Sequence, residues 1–445
     1  LVAYWLDSAG GRIGHAMIPA RQFVEVTIPD DAVAMRWGLR VSGSGSAVIH
    51  RVVNGPFVAP PVPLLVRSPD VLVTNIYPSY GNLYRNGFVH SRLRRYLEAG
   101  RRLETVTLGT AHQPEFREFE DVDVAMLRPT DLAATLASGE VRTLMVHCLL
   151  PETWEVLKTA PALPPTTVWT HGFEIQPWWR RRFNYTTAAE LEAAQAASEA
   201  RLAMWREVFQ TTGDDVHFVF VSRWFAETVF DDVGVRLPEH RYSVIHNPVD
   251  GTVFRYREKT AEDRLRILSI RPYHSRVYAN DLAVAAVLDL AAEPWFDELE
   301  FTFLGDGPLF EETIAPLRDL PNVTVRRGFL THAQIAAEHA RHGVLLVPSR
   351  SDTQGVSRDE AMSSGLVPIP SAVAAIPEFV DEEVAFLAPP EDHRALADAV
   401  RTLRAEPARY LRMSAAAARR VRRQSGADHV LGPELRQALR TDGDQ

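Results

Sequence analysis

"SDTQGVSRDEAMSSG", residues 351–365, lies between two short apolar runs, "GVLLVPSR" (343–350) and "LVPIP" (366–370). Short apolar runs bounded by turn residues read as buried strands of a parallel sheet. Three acids, Asp352, Asp359 and Glu360, therefore fall in the link between two such strands. On local pattern the link is a loop and a capped helix. Ser357-x-x-Glu360 has the spacing of a capping box, and Gly365 stands where a helix would stop. That reading leaves Asp352 and the following "TQG" unused. The competing reading is a composite pocket, with one acid on the loop and another in the first turn of the helix. Loop N–H groups and the helix dipole favour a diphosphate there, and a first-turn carboxylate can accept both hydroxyls of a ribose.

Outward from this stretch the same rhythm repeats. "RLRILSIRPY" (264–273), "LEFTFLGDGP" (299–308) and "NVTVRRGF" (322–329) precede it as further strand-and-loop units. An earlier series starts at "DVLVTNIYPSYGNLYRNGFVHSRLRRYLEAG" (70–100), a strand, a glycine-bearing loop and an amphipathic helix. It continues through "TLMVHCLL" (143–150), "TTVWTHG" (166–172) and "HFVFVSRWFAETVF" (217–230). Strands alternating with helices predict parallel sheets covered on both faces, and a split near residue 255 predicts two Rossmann-like domains facing across a cleft. Residues 1–65 differ. "QFVEVTIP" (22–29) and "AVAMRWGLRVSGSGSAVIHRVV" (32–53) alternate apolar and polar residues between Gly and Ser, and "NGPFVAPPVPLL" (54–65) reads as a Pro-rich linker. The expected organisation is a β-rich accessory domain over 1–65, Rossmann-like domains over 66–255 and 256–415, and C-terminal helices over 416–445 with a frayed "TDGDQ" end.

Composition narrows the class. The 46% apolar and 24% charged residues are ordinary for a soluble globular protein, and no run reaches the ~18 apolar residues of a membrane span. The start, "LVAYWLDSAG", lacks a basic–apolar–small signal pattern and reads as the inside of a folded element. One cysteine, Cys148, excludes an internal disulfide and fits a reducing, cytoplasmic compartment. A net charge of −9 argues against a nucleic-acid partner. Only Lys158 and Lys259 are lysines, so the positive charge is nearly all Arg.

"GDGP", "GFL" (328–330), the 345–369 stretch around the acids and "AIPEFV" (375–380), taken in this order, resemble the C-terminal half of the family-4 retaining glycosyltransferases of GT-B fold, the glycosyl transferases of group 1. The family hallmark is Glu-x7-Glu followed by Ala-Met and a glycine. This chain has Asp352-x7-Glu360-Ala361-Met362, its first acid one methylene shorter. "HNPVDGTVF" (246–254) is similar to the family's entry into the C-terminal domain, and the resemblance covers about residues 68–430. It implies transfer of a sugar from a nucleotide diphosphate-sugar to an acceptor hydroxyl, with retained anomeric configuration and no metal or separate cofactor. Arg271 and Arg276 take the places of the family's diphosphate-binding Arg and Lys. Gly81 matches the glycine loop, and His171 the strand-end histidine that touches the donor sugar. Asp352 would hold sugar hydroxyls, Glu360 the ribose, and Thr353, Gln354, Gly355 and Val356 the donor between them.

Other motifs are weaker. Asp121-Val122-Asp123 mimics a metal-binding acidic pair, but "DVDVAM" alternates like a strand. "QPWWRRRFNY" (176–185) reads as an acceptor-phosphate clamp, a solvated face or an interfacial membrane contact. The resemblance leaves a nucleotide-sugar 2-epimerase and a non-catalytic glycan binder as rivals. Glycan, lipid-linked and small-molecule acceptors all stay open, as does a peripheral site at the inner face of a bacterial membrane; the Arg-for-Lys bias suggests a GC-rich bacterial genome.

Overall fold

The computed structural model describes residues 1–18, 25–38, 68–83, 85–109 and 115–439. Three sheets organise them. The first is small and antiparallel: β1 (Val2–Leu6) lies between β2 (Arg12–Met17) and β3 (Ala34–Gly38). The expected β-rich start is thus present, but its strands are not all the predicted ones. Residues 25–29 of "QFVEVTIP" carry no strand, because Pro29 and a turn at residues 30–31 interrupt the alternation. The Pro-rich 54–65 stretch and "TDGDQ" lie outside the described residues.

The second sheet has eight strands. In chain order they are β4 (Asp70–Thr74), β5 (Glu104–Leu108), β6 (Glu115–Phe119), β7 (Val122–Leu127), β8 (Thr143–His147), β9 (Thr166–Thr170), β10 (Val216–Phe220) and β11 (Tyr242–Val244). Their spatial order is β11-β10-β9-β8-β4-β5-β7-β6, parallel except for β6 at the edge. Four adjacent strands, β10, β9, β8 and β4, are buried along their whole length, which is why they appear in sequence as mostly apolar or Thr-rich runs. Asp123 sits on β7 opposite Glu118, and Asp121 occupies the preceding turn at φ 68°, so "DVDVAM" is the alternating strand expected.

The third sheet is fully parallel, in the order β14-β13-β12-β15-β16, from β12 (Arg266–Ile270), β13 (Glu300–Gly305), β14 (Val323–Arg327), β15 (Val344–Val347) and β16 (Val367–Pro370). The opening stretch links β15 to β16, as read from sequence.

Two chain segments join the larger sheets. The outward crossing follows β11 through Ile245–Val249, and the return passes Ser425–Ala427 between the Pro407–Gln424 and Ala427–Leu439 helices. The crossings lie side by side: Val249 N–H donates to Ser425 O (2.7 Å) and Ala427 N–H to Val249 O (3.1 Å). The last helix comes home to the eight-stranded sheet. There Glu434, fully buried, accepts from Arg92 Nε at 2.8 Å and from the Tyr96 hydroxyl. A buried charge survives only when paired in this way. No helix of the described residues is long and apolar enough to cross a membrane.

Candidate active site

The carboxyl ends of the third sheet carry most of the predicted residues. Arg271 follows β12, where its N–H donates to Leu304 O (3.0 Å) while Tyr273 N–H donates to Asp306 O (2.8 Å). This laying of one loop over the next explains the glycines of "GDGP": a Cβ at Gly305 or Gly307 would collide with the backbone of Arg271 or Tyr273. Held from below, the Arg271 side chain is only 4% exposed. Its guanidinium donates to Ser349 Oγ (2.7 Å) and Ser357 Oγ (3.0 Å) and lies 4.8 Å from the ring centre of Tyr278. Burial lowers its pKa, opposed first by the nearby Asp352 carboxylate. Arg271 is therefore a fixed cation, aimed at the loop of the first acid.

The loop and helix between β15 and β16 settle how "SDTQGVSRDEAMSSG" folds. The helix spans Val356–Ser363, and its N-cap is Gly355 at φ 94°, not Ser357. The capping box is not made: Ser357 lies inside the helix, and its oxygen serves Arg271 instead. Gly355 needs its positive φ, and a Cβ there would press on the Arg358 guanidinium and Ile376. At the other end the expectation holds. Gly365 takes φ 92°, with Leu366 N–H donating to Ala361 O (3.0 Å) and Gly365 N–H to Met362 O (2.9 Å), the double bond of a glycine-closed helix.

Asp352 accepts from Gln354 N–H at 3.1 Å. Thr353 reaches over to the other sheet, its hydroxyl donating to His171 O at 2.7 Å. Gln354 is 1% exposed and turned inward rather than toward the cleft. Glu360 is half-buried; burial first, then its neighbour Asp359, pushes its carboxyl up to about 8. Arg276 departs from this group. It is exposed on a short 3-10 turn, beside Asp281 and Glu312 at a 310 Å³ surface pocket against the Asn280–Leu290 helix.

The opposing wall is built on β8 and β9. His171 follows β9, and its Nε2 meets Nδ1 of His147 at 3.0 Å. His147 is sandwiched, stacked on Trp169 at 4.7 Å and on His171 at 5.3 Å. Burial drives both imidazoles well below their usual range, with Arg92 adding to the effect, so the pair is neutral. His147 was missed in sequence. Its signal is a histidine ending the strand that pairs with the one His171 follows. Next to it, Cys148 is held at φ 58°, an uncommon conformation for a residue with a Cβ. Gly81 lies in the tight Ser79–Asn82 turn, where an added Cβ would touch nothing within 4 Å. Gly87, at the start of the Gly87–Glu98 helix, is the glycine of this loop that meets the other half: a Cβ there would lie 3.9 Å from His332 Nε2. "QPWWRRRFNY" forms a 3-10 turn over Trp178–Asn184 that bridges the walls, since Asn184 Oδ1 accepts from Ser275 Oγ (2.9 Å) and Arg276 N–H (3.1 Å).

Two largely parallel α/β sheets facing across a cleft, with the candidate residues at their strand ends and the chain crossing back at its C-terminus, define the GT-B fold. A family model, Glycosyl transferases group 1, matches residues 264–406. The sulfoquinovosyl transferase of Arabidopsis thaliana is 29% identical over 162 residues, 35% of this chain; the match takes in 31% of that protein, so the chain spans less than a third of its curated relative. Among solved structures, sucrose-phosphate synthase from Thermosynechococcus elongatus superposes with a TM-score of 0.62 at 17% identity, over 84% of this chain and all of that one. HepE of Anabaena, solved with UDP-glucose, gives 0.59 at 13% identity over 82% of this chain and 99% of its own.

Proposed function

We propose that this protein is a retaining glycosyltransferase that moves a sugar from a nucleotide diphosphate-sugar to an acceptor hydroxyl. One observation carries the reading: a buried arginine lies beside the Asp352 carboxylate on one cleft wall, and the next residue, Thr353, bonds to His171 of the neutral histidine pair on the other. The cost of the reaction lies in parting the sugar from its diphosphate while positive charge grows at the anomeric carbon. Arg271 meets the negative charge that develops on the leaving diphosphate, helped by the N–H groups opening the Val356–Ser363 helix. Asp352 takes sugar hydroxyls, His171 supports the sugar from the other wall, and Glu360 takes the ribose. Gly355 and Val356 bring their backbone close to the donor, Gly81 faces it from the other wall, and Arg276, on the same wall as Arg271, reaches the diphosphate by swinging its exposed side chain toward the cleft. The acceptor proton leaves with the departing phosphate oxygen, so neither a base nor a metal is needed. The acceptor enters past the Trp178–Asn184 turn, whose exposed Trp179 suits a glycan or a lipid-linked glycan at a membrane surface.

The test is a panel of UDP-, GDP- and ADP-sugars, followed for released nucleotide with and without candidate acceptors and in excess EDTA. Acceptor-dependent release that survives EDTA is the expected result. Release of nucleotide with an epimerised sugar and no acceptor would move the protein to the 2-epimerases. Full loss on chelation, restored by Mn²⁺, would overturn the metal-free mechanism.

A further inference from the structure

Gln354 lies in the acid loop, yet its side chain is engaged elsewhere. Its Oε1 accepts the Asn247 N–H at 2.6 Å, and its Nε2 donates to Asn247 O at 3.0 Å. The second Nε2 hydrogen goes to Asp359 Oδ2 at 3.2 Å. The amide thus pairs with both the N–H and the C=O of one residue of the outward crossing, as a residue of a neighbouring strand would, with both of its hydrogens used. Only a primary amide of this length can do so. The network continues on both sides. Asn247 Oδ1 accepts from Arg92 NH1 (2.7 Å), and Arg92 is the partner of Glu434 on the terminal helix. Asp359 binds Arg358 (3.0 Å from Nε) and faces Ser425 Oγ of the return crossing at 3.5 Å. Arg92, Asp359, Arg358 and Glu434 are each at most 2% exposed, so these bonds are shielded from solvent.

We propose that Gln354 is a positioning residue, an amide clip that fixes the Asp352–Thr353 loop to both chain crossings and so sets the distance between Arg271 and His171. Thr353, bonded to His171 O, is the second tether of the same loop. The clip itself is independent of the proposed reaction; only its effect on turnover rests on that reading.

Hydrogen exchange tests it directly. In Gln354→Met, which keeps the shape and loses every bond, the 244–250 and 351–356 segments should exchange at least about tenfold faster while 266–270 and 344–347 are unchanged. With the donor found by the nucleotide-sugar panel, turnover should fall at least about tenfold while affinity for the bare nucleoside diphosphate stays within about threefold. Unchanged exchange overturns the clip, and an affinity loss as large as the turnover loss makes Gln354 a donor contact instead. If the variant does not fold, the wild-type protein decides. The Asn247 and Gln354 amides should open with the same constant within about threefold, and a difference beyond about tenfold refutes the proposal. Failure of every nucleotide to bind wild type would sink the proposed reaction and leave the exchange result standing.

Discussion

The two walls of the cleft solve different problems. The C-terminal wall is electrostatic: Arg271 is fixed by two serines and an aromatic face, and the Asp352 loop is tethered at both Thr353 and Gln354. The N-terminal wall is a stiff neutral stack of Trp169, His147 and His171, whose outer ring nitrogens, His171 Nδ1 and His147 Nε2, are buried without a hydrogen-bond partner among the described residues. A fixed charge is worth most in a dry, preorganised site, whereas a neutral stack contributes shape and orientation. The contrast predicts that damage to the first wall costs far more rate than damage to the second.

Removing the charge is the strongest test. Arg271→Ala should cost about 2–4 kcal/mol in the transition state, a loss of about thirtyfold to a thousandfold in kcat/KM. Arg271→Lys, which keeps charge but not the two serine bonds, should fall between. Near-wild-type kinetics in a folded Arg271→Ala protein would remove the electrostatic wall altogether.

Glu360 sharpens the comparison through pH. Its carboxyl is raised from an ordinary 4.5 to about 8. Between those values the unfolded chain gives up its proton while the folded one keeps it, so the empty protein loses stability as pH rises through that window and levels off above it. Glu360→Gln should remove that loss, giving a melting temperature that exceeds wild type at high pH and matches it near pH 5. Binding should respond in the opposite sense. A ribose held by a carboxylate needs the ionised form, so the ratio of wild-type to variant affinity for the nucleoside diphosphate should climb to about tenfold between about pH 6 and 9. The nucleotide's own titration cancels in that ratio. A flat ratio in calorimetric titrations would take Glu360 out of the ribose site.

The second wall is tested by His147→Phe, which keeps the stack and loses the bond to His171. One neutral hydrogen bond is worth about 0.5–1.5 kcal/mol, so kcat should fall about two- to tenfold with nucleotide affinity unchanged. A loss as large as that of Arg271→Ala would erase the distinction between the walls.

What the sequence disclosed follows the range of the interactions. β12, β13, β15 and β16 were legible because parallel strands buried on both faces leave continuous apolar runs. Arg271, Asp352 and Glu360 stand out as candidates because their spacing falls within one strand–loop–helix unit, or matches a motif that does. The clip of Gln354 on Asn247 spans 107 residues and the pairing of Arg92 with Glu434 spans 342, and nothing local marks either. His147 acts through a neighbouring strand, so it shows only when register is known. Among the described residues of the β-rich start, only residues 25–29 misled, because Pro29 interrupts a run that otherwise alternates well.

Ser357 misled for a different reason, and it offers the smallest expected effect and the cleanest discrimination. Ser-x-x-Glu is a capping signature only if the serine stands at the N-cap, and Gly355, able to take φ 94°, starts the helix two residues earlier. A true cap lost in Ser357→Ala would cost about 0.5–2 kcal/mol of stability and leave kinetics alone. The bond seen here predicts the reverse. Arg271 keeps Ser349 and loses one of its two hydroxyl partners, so the melt should move by less than about a degree while kcat/KM falls about two- to fivefold. A double-mutant cycle completes the argument, because Ser357 can act on turnover only through the guanidinium it holds. In the Arg271→Ala background, Ser357→Ala should therefore change kcat/KM no further. A second full loss there would mean that the hydroxyl touches the donor itself, and the C-terminal wall would then rest on one contact more than its arginine.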